Sequence, residues 1–183
     1  MYAILYFYSN SDTISLFSYY SPQISKEGDC FEVPLAVAQL SELVKMTVEE
    51  DMLVDGEEQI VSEIPLPNVK GIVLKKVLEF CEHHCKEPLP KIARPLKSHL
   101  MNENVPQWYA DFVDTEHGML FECILVSNYM DIRPLLELSC ASVAALMKCR
   151  THVEIRELFD IVNDFTPEEE EELIKQNKWV EEP

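Results

Sequence analysis

The sequence predicts a mixed α/β fold, of the α+β kind and predominantly helical. Apolar residues recur at helical spacing over most of the chain, whereas strand-like segments lie only before residue 65. Hydrophobic residues make up 47% of the 183 residues, which is ordinary for a globular protein. This length suffices for one large domain or two small ones.

The strands are expected in the first third of the chain. Residues 24–33 predict a β-hairpin with a Lys-Glu-Gly-Asp turn. Ile60, Val61 and Ile64 predict a further short strand that ends at Pro65. Residues 49–63, which lead into this short strand, carry many acidic side chains and no basic one, which is typical of a solvated loop.

Helical spacing and helix-initiating residues predict the remaining elements. Pro34 is expected to begin a helix that ends near Met46, and Asn68 to cap a helix from Val69 to Lys86. A proline-rich loop at about 87–107 then interrupts the periodicity and is the expected join between two subdomains. Further helices are expected at 107–113, at 118–130, after a cap at Asp131 to about 148, at 151–159 and from Thr166 onward.

Two of these helices begin with a recognisable capping box. Thr151 is followed three residues later by Glu154, and Thr166 by Glu169. Pro167 takes the first helical position of the last helix, where proline is favoured. The glutamates at 168–172 then lie in its first turns, where the helix dipole favours negative charge.

Charge and composition exclude several classes of function. The formal net charge is -18, and a field of that sign repels phosphate backbones, so no nucleic acid partner is expected. The four glycines are too far apart for a phosphate-binding loop. Apolar runs are too short to span a membrane, no secretory signal is evident, and the six cysteines are expected to be reduced thiols. We expect a soluble protein of the cytoplasm and nucleus.

The chain offers little support for metal binding or catalysis. Of the cluster Cys81, His83, His84 and Cys85, the residues 81, 84 and 85 would share one face of a helix, but a structural zinc site needs four ligands and no second Cys/His pair lies nearby in the sequence. We expect no metal, no cofactor and no catalytic residue. A metal-dependent enzyme built on these three side chains is kept as an alternative.

One helix carries more apolar residues than its own packing requires. Residues 135–147 are apolar over more than half of the helix circumference, whereas a surface helix needs a stripe of about 100°. Either the C-terminal helices cover this excess as a core of their own, or another protein fills an exposed groove there.

Several stretches together resemble Skp-type adaptors of SCF ubiquitin ligases. The resemblance runs in order and without large gaps from residue 22 to residue 183. It is clearest in Asn-Asp-Phe-Thr-Pro-Glu-Glu-Glu at 163–170. The other stretches that carry it are Pro-Leu-Pro-Asn-Val at 65–69, Leu-Lys-Lys-Val at 74–77, Leu-Phe-Glu at 120–122, Ser-Asn-Tyr-Met-Asp-Ile at 127–132 and Asn-Lys-Trp at 177–179.

The resemblance implies a BTB/POZ-like domain at 22–130, a C-terminal helical extension at 131–183, and an N-terminal extension at 1–21 whose role is open. It implies a non-catalytic adaptor that joins F-box proteins to a cullin scaffold, and a weak homodimer when free. Asn128 and Tyr129 match cullin-facing positions, and Pro167 matches a position that is modified in some members. The positions that match the F-box-facing surface are Leu136, Cys140, Val143, Met147, Phe159, Ile161 and Trp179.

The loop departs from the family pattern, because it carries Lys91, Arg94, Lys97 and His99 where the family is typically acidic. Besides the metal-dependent enzyme, two alternatives to the SCF adaptor stay open. The first is an elongin-C-like BTB adaptor, against which the segment 151–183 argues. The second is an acidic chaperone of basic proteins.

Overall fold

The computed structural model describes residues 20–47 and 64–177. Three strands form one small sheet in the order β2-β1-β3: β1 is Tyr20–Ile24, β2 is Cys30–Pro34 and β3 is Ile64–Pro65. β1 pairs antiparallel with β2 and parallel with β3.

The first two strands form the predicted hairpin, which is longer than expected. The pairing begins with Tyr20 opposite Pro34 and ends with Ile24 opposite Cys30. In the turn, Gly28 has a φ of 90°, a left-handed conformation that glycine adopts without steric strain. The β1 strand therefore includes residues 20 and 21, which precede the expected start of the BTB/POZ-like domain.

The helices make up most of the described chain, which agrees with the prediction of a predominantly helical α+β fold. Residues 42–47 are also helical, and a short 3₁₀ turn spans Met101–Glu103. The helices are α1 (Leu35–Ala38), α2 (Gly71–Lys86), α3 (Gln107–Val113), α4 (His117–Tyr129), α5 (Arg133–Met147), α6 (His152–Phe159) and α7 (Pro167–Gln176).

The prediction of a single helix from Pro34 to Met46 is wrong, because the helix is interrupted after Ala38 and a second helical segment begins after Ser41. The Ser41 hydroxyl accepts a hydrogen bond from the Val44 amide at 3.2 Å and so begins a new helix. The same hydroxyl donates to the Met130 carbonyl at 2.6 Å. This long-range contact holds the start of the helical segment 42–47 against the end of α4.

The predicted cap of α2 by Asn68 is also wrong. The helix begins at Gly71, and the residue before it makes no side-chain capping bond. Instead, the Gly71 amide donates to the Glu27 carboxylate at 2.8 Å, and this bond lowers the pKa of the Glu27 carboxyl. A side chain of the hairpin turn thus accepts the hydrogen bond of the first amide of α2, although the turn and the helix are far apart in the sequence.

Asp131 does not cap α5. Its backbone φ is 49°, and α5 begins two residues later, after Ile132. The Asp131 carboxylate accepts a hydrogen bond from the Arg133 guanidinium at 3.4 Å. The residue therefore serves as a left-handed link between α4 and α5, a conformation that aspartate tolerates better than most residues.

Both predicted capping boxes are confirmed. The Thr151 hydroxyl accepts from the Glu154 amide while the Glu154 carboxylate accepts from the Thr151 amide, and Thr166 and Glu169 form the same pair. In each box, the bonds from the threonine lower the pKa of the glutamate carboxyl. These local interactions determine where α6 and α7 begin.

One hydrophobic core joins the sheet to the central helices. Val33 and Ile64 from the sheet, Phe80 from α2, Leu120 from α4 and Leu135 from α5 all belong to it. The pairs α4–α5 and α2–α4 pack together extensively, so α4 lies between the other two helices.

The predicted loop after α2 is confirmed, and its backbone is held in place. Ile92 and Val105 are buried in the core. The Asn104 amide group accepts from the Lys97 amide at 2.9 Å and donates to the carbonyls of Ser98 and Leu100. These bonds fold residues 97–104 back on themselves.

Among the helices within the two described ranges, none combines the length and the apolar character needed to cross a bilayer.

Two leucines of α4 test how its packing supports the fold. Leu120 is 2% exposed and Leu125 is 66% exposed. We expect Leu120→Ala to lower the free energy of unfolding by about 2–5 kcal/mol, because it leaves a cavity in the core. The matched variant Leu125→Ala should lower it by less than about 0.5 kcal/mol. Urea unfolding followed by tryptophan fluorescence measures both, and equal losses would contradict the packing described.

Candidate protein-docking surfaces

Helix α5 is buried on one side. Leu135 and Leu138 are fully buried, and Ser139, Ser142 and Ala145 complete the inward face. This face packs against α4 and the rest of the core. Serine and alanine allow close approach of the helices along half of the contact, because their side chains are small.

The opposite side of α5 carries four of the predicted docking residues. Leu136 and Val143 are half-buried, whereas Cys140 and Met147 are exposed. Their spacing of four, three and four residues puts them in one stripe along the helix. The structure therefore brings these four side chains together on a single face, which we call the α5 outer face.

Helices α6 and α7 have no buried residue. The predicted docking residue Ile161 lies two residues after the end of α6 and is 53% exposed. Phe159 at the end of α6 behaves differently, since its ring packs against the rings of Phe121 and His117 of α4, with centroids 5.5 and 5.6 Å apart. Phe159 is half-buried and attaches α6 to α4.

The described C-terminal segment exposes more apolar side chains than the sequence interpretation named. The most exposed of them is Val162, at 82%. Leu173 and Ile174 are adjacent in an otherwise charged helix, and this contrast in the sequence could have indicated them. The added residues are Val153, Val162, Phe165, Leu173 and Ile174.

A small polar cluster connects α6 to α7. The Arg156 guanidinium lies 3.0 Å from the Glu170 carboxylate and stacks over the Phe165 ring at 5.7 Å. The Asn163 side chain donates to the same carboxylate at 3.2 Å. Because the arginine and the glutamate are largely shielded from solvent, this pair can orient the two helices better than an exposed ion pair would.

Of the predicted residues Pro167 and Trp179, the structure describes only Pro167. Trp179 lies outside the described residues. Pro167 is exposed at the first position of α7, where its missing amide hydrogen leaves no helical bond unmade.

The second predicted surface lies at the C-terminal end of α4. Asn128 is exposed, and Tyr129 is 38% exposed. Leu125, one turn earlier, is 66% exposed and extends this surface, although the sequence interpretation did not name it. The hydrogen bond from Ser41 to the next carbonyl, that of Met130, holds this end of the helix in place.

An ion pair lies between this surface and α2. The Lys70 ammonium is 2.6 Å from the Glu122 carboxylate of α4, and the contact raises the pKa of Lys70. Both side chains are partly exposed, so this pair between the residue before α2 and α4 contributes little to stability.

The three residues considered as metal ligands are engaged with protein atoms. Cys81 is buried, which raises the pKa of its thiol to about 12. The Cys85 thiol donates to the Ala36 carbonyl, and a ring nitrogen of His84 accepts from the Leu89 amide at 3.1 Å. Burial lowers the pKa of His84. Within the described part of the chain, no group of three or more histidine, cysteine, aspartate or glutamate residues could hold a metal ion.

Comparison with protein families gives two matches, one in each half of the chain. Residues 24–86 match the tetramerisation domain of the Skp1 family, and residues 133–180 match its dimerisation domain. The first match is to the POZ part of the family, and it confirms the predicted BTB/POZ-like fold.

Individual relatives match most of the chain. An S-phase kinase-associated protein 1 homolog from Tetrahymena thermophila is 45% identical over 160 residues, which cover 87% of this chain and 92% of the relative. The SCF ubiquitin ligase complex protein SKP1a of Dictyostelium discoideum is 40% identical over 157 residues, 86% of this chain and 93% of the relative. The SKP1-like protein 1A of Arabidopsis thaliana is 40% identical over 156 residues, 85% of this chain and 93% of the relative. From these matches, and from the order in which the POZ domain and the C-terminal helices follow one another, the chain belongs to the Skp1 family.

Proposed function

We propose that this chain is a non-catalytic adaptor that links F-box substrate receptors to a cullin scaffold in an SCF ubiquitin ligase. Membership of the Skp1 family supports this role, and the similar protein of Dictyostelium is named for the SCF ubiquitin ligase complex. The single observation that carries the proposal is the apolar surface of the C-terminal helices, which no described part of the chain buries.

The receptor contact is assigned to the α5 outer face and the segment after it. Removal of exposed apolar area from water lowers the free energy by about 25 cal/mol per Å². Exposed side chains such as Met147 and Ile161 therefore favour a partner with its own apolar face. An F-box domain supplies such a partner. Exposed residues that match no predicted position, such as Val162, would enlarge the same contact.

The scaffold contact is assigned to Asn128, Tyr129 and the adjacent Leu125. A tyrosine and an amide beside an exposed leucine combine apolar area with hydrogen-bonding groups, which is typical of protein interfaces. These residues belong to α4, whereas the assigned receptor contact lies on α5 and beyond. Use of different helices would let both partners bind at once.

The environment of three of the six cysteines supports a role without catalysis for these side chains. Desolvation by burial raises the pKa of the thiols of Cys81, Cys85 and Cys123, which keeps them protonated at neutral pH. A protonated thiol is a poor nucleophile, so these side chains suit packing better than covalent transfer of ubiquitin. In the proposed complex, other subunits carry out that transfer.

Ile161 and Ile72 provide a matched test of the receptor contact. Both are exposed isoleucines, at 53% and 69%, but Ile72 lies on α2, away from the C-terminal helices. We expect Ile161→Asp to weaken binding to an F-box domain by about 30-fold, as a buried charge does at the centre of an interface. Ile72→Asp should bind normally. Isothermal titration calorimetry measures both affinities, and circular dichroism checks that each variant is folded.

A folded wild-type chain that bound no F-box domain would overturn the proposed function. Equal loss of affinity in both isoleucine variants would remove the assignment to the C-terminal segment.

The scaffold contact is tested by the double variant Asn128→Ala/Tyr129→Ala. We expect its affinity for the N-terminal region of a cullin to fall at least about tenfold, since both side chains would be desolvated in the contact. Its affinity for an F-box domain should not change. The Ile161→Asp variant serves as the reverse control and should bind the cullin normally. Unchanged cullin binding by the double variant would refute this assignment.

A further inference from the structure

The loop between α2 and α3 is basic, although the whole chain is strongly acidic. Residues 88–102 contain Lys91, Arg94 and Lys97 and no acidic residue, in a chain of net charge -18. All three side chains are exposed. A local field of opposite sign to the rest of the molecule attracts anionic groups to one place, so this loop differs in its electrostatic role from the surface around it.

Two contacts place the loop along α5. The Arg94 guanidinium lies 3.2 Å from the Glu137 carboxylate near the start of the helix. At the other end of the helix, the Lys148 ammonium donates to the Leu96 carbonyl at 2.5 Å. Lys91, Arg94, Lys97 and Lys148 together form what we call the cationic rim. Glu137 directly follows Leu136, so the rim lies about 100° around the helix from the α5 outer face.

Three cations of the rim, Lys91, Arg94 and Lys97, are exposed and available to a partner. Among the described residues, Lys91 and Lys97 form no ion pair. The Arg94–Glu137 pair is exposed, and such pairs contribute little, so another carboxylate can replace Glu137. Beside them, Lys91, Arg94 and Glu137 border a concavity of about 580 Å³. An extended acidic segment could lie there with its carboxylates near the rim.

The backbone that presents the rim is already ordered. Asn104 holds residues 97–100 by its side-chain bonds, and Ile92 anchors the middle of the loop in the core. The loop therefore loses less conformational entropy when it binds a partner than a free loop would lose. This order makes a modest electrostatic contact effective.

From these observations we propose that the cationic rim selects F-box receptors that carry an acidic segment next to the F-box. The inference rests on the proposed function, because it is docking on the α5 outer face that brings the receptor to the rim. The apolar face supplies affinity for any receptor, whereas the rim discriminates among receptors by charge.

The test uses one F-box domain with a six-residue extension at its N-terminus or its C-terminus, made of either acidic residues or glycine and serine. We expect the acidic extension at one of the two ends to tighten binding to the wild-type chain about fivefold at 50 mM salt, which corresponds to about 1 kcal/mol. At 500 mM salt the preference should disappear, because screening weakens exposed charge pairs.

The triple variant Lys91→Glu/Arg94→Glu/Lys97→Glu should lose the preference and bind the neutral form with its original affinity. The matched control Lys26→Glu/Lys45→Glu/Lys75→Glu changes the net charge by the same amount elsewhere and should keep the preference. If the control loses it equally, or if neither acidic extension tightens binding, the inference is wrong while the adaptor role stands. If the neutral F-box domain itself does not bind, the proposed function is wrong.

Discussion

The burial of Leu135 and Leu138 on one side of α5 is the constraint on which the C-terminal surface depends. Both side chains are fully enclosed in the core, so the helix cannot turn its other side inward. Leu136, Cys140 and Met147 then lie away from the core, whereas Val143 is half-buried and packs against its edge. The two helices that follow bury no residue of their own, and they leave Met147 and Cys140 exposed. An apolar face that no part of the chain within residues 20–47 and 64–177 covers is the physical basis for proposing a partner.

Helix α4 connects α5 to the rest of the molecule through its packing. It packs between α2 and α5, with Leu120, Cys123 and Val126 buried. Its outer side holds Phe159 of α6 through Phe121, and it ends in the residues assigned to the scaffold. The proposed scaffold contact therefore lies at the end of α4, and α5 and α6, which carry or precede the proposed receptor contact, both pack against this helix. A fixed relative position of receptor and scaffold is what an adaptor of this kind needs.

Local interactions in the sequence were enough to predict some elements and not others. The capping boxes at Thr151 and Thr166 involve neighbouring residues, and both were predicted correctly. The break at Ser41 depends on a bond to a carbonyl 89 residues away, and the cap of α2 on a carboxylate 44 residues away. Periodicity contains no information about such partners. For the docking surfaces, the family resemblance indicated the α5 residues that helical geometry then puts on one face, but the packing of Phe159 against α4 arises from tertiary structure alone.

The acidity of the chain and its cationic rim have related consequences. Apolar docking on α5 depends on shape and area, which many receptors can satisfy equally well. An acidic segment of a receptor would be repelled by most of the surface, since the chain has a net charge of -18. It would be attracted where Lys91, Arg94 and Lys97 lie. The difference in electrostatic potential between the rim and the surrounding acidic surface is therefore larger than the same rim would produce on a neutral protein. A strongly acidic adaptor can therefore discriminate by charge with a small number of lysines and arginines, provided that they are held beside the apolar face.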